Sequence, residues 1–369
     1  MGRVFGVAGA LALGASSAIA GGVDRSGQSV SVIFEDGNYA EFSLGTVSPD
    51  VSGTAVAVPA PGLNGAKSGD MAASYIQFGG AYKHRFSDQL DAAIIVDQPF
   101  GADVSYPNGT NYYAQGATAE LNTTAITGVL QYTMPSNVSV YGGVRYQTMS
   151  ADASIPFVGG YVAKGDRDGA FGYLLGVAYE KPEIALRVAL TYNSKIKHEL
   201  KTSENSALGP LSTVTDIETP ESVSLEFQSG VAKDTLVFGS IRWVDWSNFD
   251  ITPQQYQTLT GGGSLVSYND DTVSYSLGVG RRFNEHWSGA LTLGYEKQHG
   301  GISSNLGPTD GYKSIGLGAT YTQDNMKITA GVRYVDIGDA QTQLQTVVPS
   351  ANFKGNSAIG VGVKVGFTF

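Results

Sequence analysis

The sequence predicts an all-β fold: a transmembrane antiparallel up-and-down β-barrel of about fourteen strands, with a short N-terminal hatch segment in the lumen. Three observations predict it. From Tyr39 onward, segments of roughly 10–15 residues alternate apolar with small or polar, the period-two pattern of strands with one greasy face. They are joined alternately by tight turns and by longer polar loops, the asymmetry of an outer-membrane barrel. No stretch after the first twenty residues nears the roughly 18 apolar residues of a spanning helix, while only 15% of residues are charged and Gly (49) and Tyr (20) are abundant.

The elements follow in chain order. "MGRVFGVAGALALGASSAIA" joins one early basic residue, Arg3, to a short apolar run and an Ala18-Ile19-Ala20 end. It reads as a secretory leader, 1–20, cleaved after Ala20. Residues 21–38 read as the hatch and 39–369 as the barrel. Strands are expected at 39–50, 71–86, 89–97, 118–133, 139–152, 168–180, 184–199, 221–231, 235–247, 269–283, 287–298, 312–323, 326–337 and 355–369. The tight turns are "RFSDQL", "MPSNV", "EKPE", "AKDT", "FNEHW" and "QDNM", and the longer external connections centre near 53–70, 98–117, 153–167, 201–219, 249–267, 300–311 and 339–353. In the final strand, "AIGVGVKVGFTF", Ile359, Val361, Val363, Val365, Phe367 and Phe369 share one face. Tyr132, Tyr146, Tyr179, Phe283, Trp287, Tyr295 and Tyr334 collect at strand ends, where barrels carry aromatic girdles.

If the apolar face meets lipid, the other lines the lumen. That parity sends Arg145, Arg187, Arg242, Arg282, Arg333 and Lys364 inward, with Lys83 and the acids Glu41, Asp91, Asp97, Glu180, Glu226 and Glu296. A charge on the lipid face costs about 2–4 kcal/mol at midplane, so the sorting is what stability demands. These bases are either paired, hydrated lumen charges or, for some, partners of a ligand carboxylate. The third strand breaks at Pro99-Phe100-Gly101. Proline cannot donate to a ladder and glycine tolerates a kink. The break is the strand end at the rim or a sideways gap in the wall.

No Cys is present, which excludes disulfides and a thiol nucleophile, and the net charge of −10 argues against nucleic acid. No serine sits in a nucleophile motif and no metal-ligand spacing occurs. His84 and His286 fall by turns, and His198 and His299 near the outer rim read as solvated loop residues. The chain therefore reads as a non-enzyme without cofactor or metal.

The order and spacing of "FSLGTVSPDVSGT", "YKHRFSDQLDAAIIVDQPFG", "ALTYNSKIKHEL", "TPESVSLEF", "RWVDWSNF" and "GVKVGFTF" resemble the FadL/TodX family of outer-membrane fatty-acid and hydrocarbon transporters, over roughly 39–369. The resemblance implies fourteen strands, a hatch plugging the lumen, and a kinked third strand serving as a lateral exit. On this chain the kink falls at Pro99, Phe100 and Gly101, and the hatch at 21–38, a strand-like tail with Val32, Ile33 and Phe34 along the ligand path. The function it implies is passive uptake of long-chain fatty acids or similar hydrophobic small molecules. The alternative is a porin for hydrophilic solutes, which the short hatch favours. Expected partners are the hydrophobic ligand, outer-membrane lipid and lipopolysaccharide, and the barrel-assembly machinery, for which Phe369 resembles the signal. A monomer in a Gram-negative outer membrane is expected.

Overall fold

The computed structural model describes residues 22–58, 62–344 and 347–369; the expected leader, 1–20, lies outside the described residues. Among these residues fourteen strands form one closed antiparallel wall. The first seven are β1 (Tyr39–Asp50), β2 (Tyr75–Arg85), β3 (Leu90–Asp97, resumed over Gly101–Ser105), β4 (Thr118–Thr133), β5 (Val138–Ile155), β6 (Tyr161–Lys181) and β7 (Leu186–Asn193, resumed over Ile196–Ser206). The rest are β8 (Gly209–Thr219, resumed over Ser222–Ala232), β9 (Thr235–Val244), β10 (Thr272–Arg282), β11 (Trp287–Glu296), β12 (Tyr312–Gln323), β13 (Met326–Ile337) and β14 (Asn356–Thr368). β1 closes the wall: Phe42 faces Gly80 on β2 and Val365 on β14. Closure removes the edges that hydrocarbon could not solvate.

The expected parity holds on the wall. On β14, Ile359, Val361, Val363 and Phe367 are exposed while Lys364 is buried. Outward rings form two tiers. Tyr82, Tyr132, Tyr179, Phe283 and Trp287 lie near the short turns, and Tyr146, Phe171, Tyr275, Tyr295 and Tyr334 lie towards the other end. Phe369 joins the first tier, its ring stacked on Tyr82 at 6.0 Å. The eight steps from Tyr275 to Phe283 on β10 and its turn cover about 27 Å of strand at ~3.4 Å each. At a tilt near 40° that is about 20 Å of height, close to the apolar band of such barrels.

Two of the expected external connections are strand instead. β5 and β6 run on to a turn over Pro156–Gly160, and β7 and β8 continue to a turn at Ala207–Leu208. Outside the membrane the outward face meets water, so the alternation inverts. Ile196, His198, Leu200, Thr202 and Glu204 are buried, while Lys197, Glu199, Lys201, Ser203 and Asn205 are exposed. Polar outward residues made these hairpins read as loops. His198, expected as a solvated rim residue, is fully buried here.

The tall hairpins and the remaining loops roof the outer end. Gly53–Ala55, Ile302–Ser303, Ala340–Leu344 and Val347–Phe353 make a small four-stranded sheet. A short helix, α1 (Gln254–Thr260), has the buried Glu204 carboxylate at its first turn, accepting from the backbone N–H of Gln255 at 2.9 Å. The largest apolar core lies beneath this roof, between the loops and the upper lumen wall.

The wall parity gives one expected outcome. Val361→Arg places a cation on the lipid face of β14 and should lower unfolding stability in lipid vesicles by about 2–4 kcal/mol. A denaturant titration measures it; an unchanged midpoint would contradict the assigned membrane face.

Candidate functional site

The ladder between β2 and β3 is interrupted. β2 and β3 pair from Arg85↔Asp91 to Gly80↔Val96 and then part. Beyond that point Tyr75–Gly79 keep their ladder only with β1. After the break, Gly101–Ser105 pair with β4. Pro99 supplies no N–H, and the other groups of the kink find partners elsewhere. The Phe100 N–H donates to Thr123 Oγ1 at 2.8 Å, and that hydroxyl donates back to the Phe100 carbonyl. The Gln98 side chain accepts from the Phe78 N–H at 3.0 Å. The expected kink at Pro99, Phe100 and Gly101 therefore lies within the wall, at a gap, and is not a strand end at the rim.

The hatch fills that gap from within. Asp24 bridges Phe100 in antiparallel fashion: the Arg25 N–H donates to the Pro99 carbonyl, and the Gly101 N–H to that of Val23, both at 2.8 Å. The Arg25 guanidinium lies 4.0 Å from the centre of the Tyr75 ring on β2 and ion-pairs with Asp103 on the resumed β3. Gly101 is what admits it, since a Cβ there would fall 2.6 Å from Arg25 Nε. Gln77 on β2 donates to the Arg25 carbonyl at 2.8 Å, and Ser26 donates to Asp97. One short segment thus ties both lips of the gap.

Two chambers flank this stopper. The upper one, about 130 Å³, is bounded by Val51, Met71, Val104, Leu121, Leu200, Ile217, Leu265 and Leu306, and by Tyr75, Arg25 and Gly101 at the gap. Tyr268 also borders it, and burial holds its phenol well above the ordinary range, so it stays neutral. Phe100 turns inward beneath the chamber and meets Trp246 edge-on at 5.9 Å. Trp246 packs on Phe249 and Tyr268 and covers the α-carbon of Gly22. The lower chamber, about 330 Å³, mixes apolar groups such as Val32, Ile95 and Phe227 with Ser26, Ser31, Asp97, Arg187, Glu226, Arg242 and Arg333.

The predicted bases divide accordingly. Arg242 holds the hatch: it donates to Asp24 at 3.0 Å and Gln28 at 3.1 Å, and to Ser222 on the wall. Arg187 lies 4.7 Å over the Phe34 ring, and Arg333 donates to Ser314 beside Tyr312. Arg145 is buried among Thr127 and Asn193, Lys364 pairs with Glu41 at 3.1 Å, and Arg282 pairs with Asp234 at the short-turn end. These three border neither chamber. Val32, Ile33 and Phe34 form a single 3₁₀ turn in place of the expected strand-like tail. Ile33 is sealed against Ile95, Val129 and Leu174, while Val32 faces the lower chamber. Lys83 and Lys327 anchor the end of the hatch through Glu35.

His198 has both ring nitrogens engaged. Gln147 donates to Nε2 at 3.1 Å, so Nδ1–H faces Asp168 at 3.1 Å, and neither nitrogen is left for a hydroxyl nucleophile. Among the described residues, no group of three or more His, Cys, Asp or Glu is arranged to hold a metal ion.

Arg25, Asp24, Asp103, Tyr75 and Trp246 were not singled out from sequence. One signal was present. An inward Arg242 needs a buried anion, and "VDRSGQ" offers one charge pair, Asp24-Arg25, in an otherwise uncharged run of the hatch.

Residues 33–369 match the family model described as outer membrane protein transport protein (OMPP1/FadL/TodX). Among solved structures, a FadL homologue from Pseudomonas aeruginosa is similar at 14% identity, with 91% of each chain covered and a TM-score of 0.73. The toluene transporter TodX of P. putida is similar at 16% identity, with 91% of each chain covered and a TM-score of 0.64. The Ralstonia pickettii toluene transporter TbuX is similar at 14% identity, with 91% of this chain and 90% of that one covered and a TM-score of 0.61. At these identities the likeness carries the fold alone. No curated protein sequence matches this chain.

The stopper predicts a leak. Gly101→Val should drive the guanidinium off Tyr75 and raise steady conductance in planar bilayers above wild type. Arg25→Ala should do the same by removing the plug. Wild-type conductance in both variants would sink the stopper.

Proposed function

The chain belongs to the OMPP1/FadL/TodX family of outer membrane transport proteins, and we propose that it is a passive channel for long-chain fatty acids or similar hydrophobic small molecules. In this reading the ligand, or one apolar segment of it, rests in the upper chamber and leaves sideways between β2 and β3. The observation that carries the reading is the shared wall: Tyr75, Arg25 and Gly101 border the chamber and close the gap.

The energetics suit transit. A cavity of about 150 Å³ lined by apolar side chains binds benzene, so 130 Å³ fits one ring or a short alkyl stretch. Burying about 150 Å² of apolar surface at ~25 cal/mol per Å² yields roughly 4 kcal/mol. That corresponds to about millimolar binding, weak enough to release. Downward passage meets the buried charges of the lower chamber, among them Asp97, Arg187, Glu226 and Arg242, whereas lipid lies just beyond the kink. The hatch, ion-paired across the lumen, counts against an open porin.

Two further roles belong to this reading. Phe369, exposed at the end of β14 beside Tyr82, serves recognition by the barrel-assembly machinery. The aromatic tiers set the protein in outer-membrane lipid and lipopolysaccharide, as a monomer reached by a cleaved leader.

The test uses the absence of cysteine. Asp24 and Phe100 face each other as a non-hydrogen-bonded pair, for which Cα atoms lie about 4.5 Å apart, within disulfide reach. Cells producing the Asp24→Cys/Phe100→Cys variant should take up labelled oleate or toluene when reduced and lose most uptake when oxidised. Uptake indifferent to oxidation would refute exit at the kink.

A further inference from the structure

The ladder between β6 and β7 is also interrupted, and the proposed exit at the kink does not use it. The two strands pair from Lys181↔Leu186 to Leu174↔Asn193, and again from Gly165↔Thr202 to Val162↔Asn205. Between these stretches, 166–173 and 194–201 have no ladder pairing with each other. Each keeps a ladder on its other side, β6 with β5 and β7 with β8 from Ile196 onward. Side chains close the seam instead. At its lower end the Ser194 N–H donates to the Tyr173 carbonyl and the Tyr173 N–H to Ser194 Oγ, both at 2.9 Å. In its middle Asp168 accepts from His198 Nδ1–H at 3.1 Å and from the Glu199 N–H at 3.3 Å. Elsewhere β7 lays apolar side chains on β6 glycines. A Cβ at Gly172 would fall 2.6 Å from Ile196 Cγ1, and one at Gly165 would fall 2.9 Å from Leu200 Cδ2. Leu200, Gly165, Ala163 and Thr202 border the upper chamber. The chamber therefore touches both interruptions of the wall.

We infer that the β6/β7 seam is a second lateral port, through which a solute lodged among the outer-leaflet headgroups enters the upper chamber. The inference rests on the reading of that chamber as part of a hydrophobic channel. Level is the first support. Outward residues change from apolar to charged at Ser194-Lys195, so backbone groups freed by opening the seam turn to water, as groups in hydrocarbon could not. Closure is the second. Ile196, Leu200 and Asp168 can swing aside between rotamers without unpairing any ladder. The mouth is the third, because it is amphipathic. Phe171 and Tyr173, 71% and 51% exposed, form the β6 lip, while Lys195, Lys197 and Lys201 stand exposed on the β7 lip. An apolar solute with a polar end settles at this level, body in oil and end in water, and meets a lip suited to each part. Entry at headgroup depth and exit deeper, at Pro99, make the chamber a passage between two openings in the wall, and the roof stays shut throughout transit.

A disulfide can lock this seam, since the chain has no cysteine of its own. With a Gly172 Cβ 2.6 Å from Ile196 Cγ1, the two Cβ atoms lie at most about 4 Å apart, within disulfide reach. Uptake of labelled toluene and of labelled oleate is measured in cells lacking the protein and in the same cells producing wild type or Gly172→Cys/Ile196→Cys, each reduced and oxidised. Retention of the barrel's gel mobility without heating certifies folding, and loss of free thiol certifies the crosslink. Oxidation should cut uptake by the double variant at least fivefold and leave that of wild type unchanged. A second measurement uses purified Ile196→Cys protein in lipid vesicles. Its thiol should react with N-ethylmaleimide, and at least fivefold faster once Asp168→Ala is added. Uptake by the folded, crosslinked variant that ignores oxidation, or a thiol inert with and without Asp168, overturns the port. If wild type then still raises uptake above that of cells lacking it, the channel reading stands without the port; if it does not, both fail.

Discussion

Everything in this molecule depends on one demand: inside hydrocarbon, no backbone N–H or C=O has water to turn to. A closed ladder meets it around most of the wall. It is suspended beside Pro99, which cannot donate, where β2 and β3 separate. There the structure substitutes a piece of its own N-terminal segment for a missing stretch of strand. Two backbone hydrogen bonds from Val23–Arg25 and two side-chain acceptors, Gln98 and Thr123, serve the groups at the break. A hatch residue is therefore wall and plug together, and moving it opens the seam.

The arrangement explains why the charges of the hatch are buried. Asp24 is held by Arg242, Glu35 by Lys327, and Arg25 by Asp103. Each pair joins the hatch to a different part of the wall. Buried pairs give little net stability against well-packed apolar residues. They do give a discrete geometry that a competing ion can exchange. Apolar packing of Ile33 below and Trp246 above fixes the ends of the segment. Only its middle, Asp24–Ser26, faces the gap.

Much of this was legible in the sequence. The strand count, the apolar alternation of the last strand and the six tight turns follow from period two and the cost of charge in lipid. The kink was legible at Pro99 because proline's missing donor is a local property. What fills the kink was not, because Arg25 and Gly101 lie far apart in the chain and meet only once the barrel closes. Nor was the shape of Ser31–Phe34, whose apolar run suits a strand but which turns in 3₁₀ form to seat Ile33 against Leu174. The tall hairpins resemble loops in sequence because apolar residues face outward only at membrane depth, and above it polar ones do.

That inversion has a use of its own. On β7, Val188 and Leu190 look outward below the interruption at Ser194-Lys195, whereas Lys197, Glu199 and Lys201 look outward above it. β8 is interrupted opposite, at Pro220-Glu221. The two breaks draw a waterline on the barrel, a level at which the solvent outside changes from oil to water and the strands slip their parity to follow. Above it stands a polar palisade of two paired hairpins on one flank of the mouth. Which residues of two hairpins face out thus records the level at which the surroundings of the wall change, with no residue of the lumen involved.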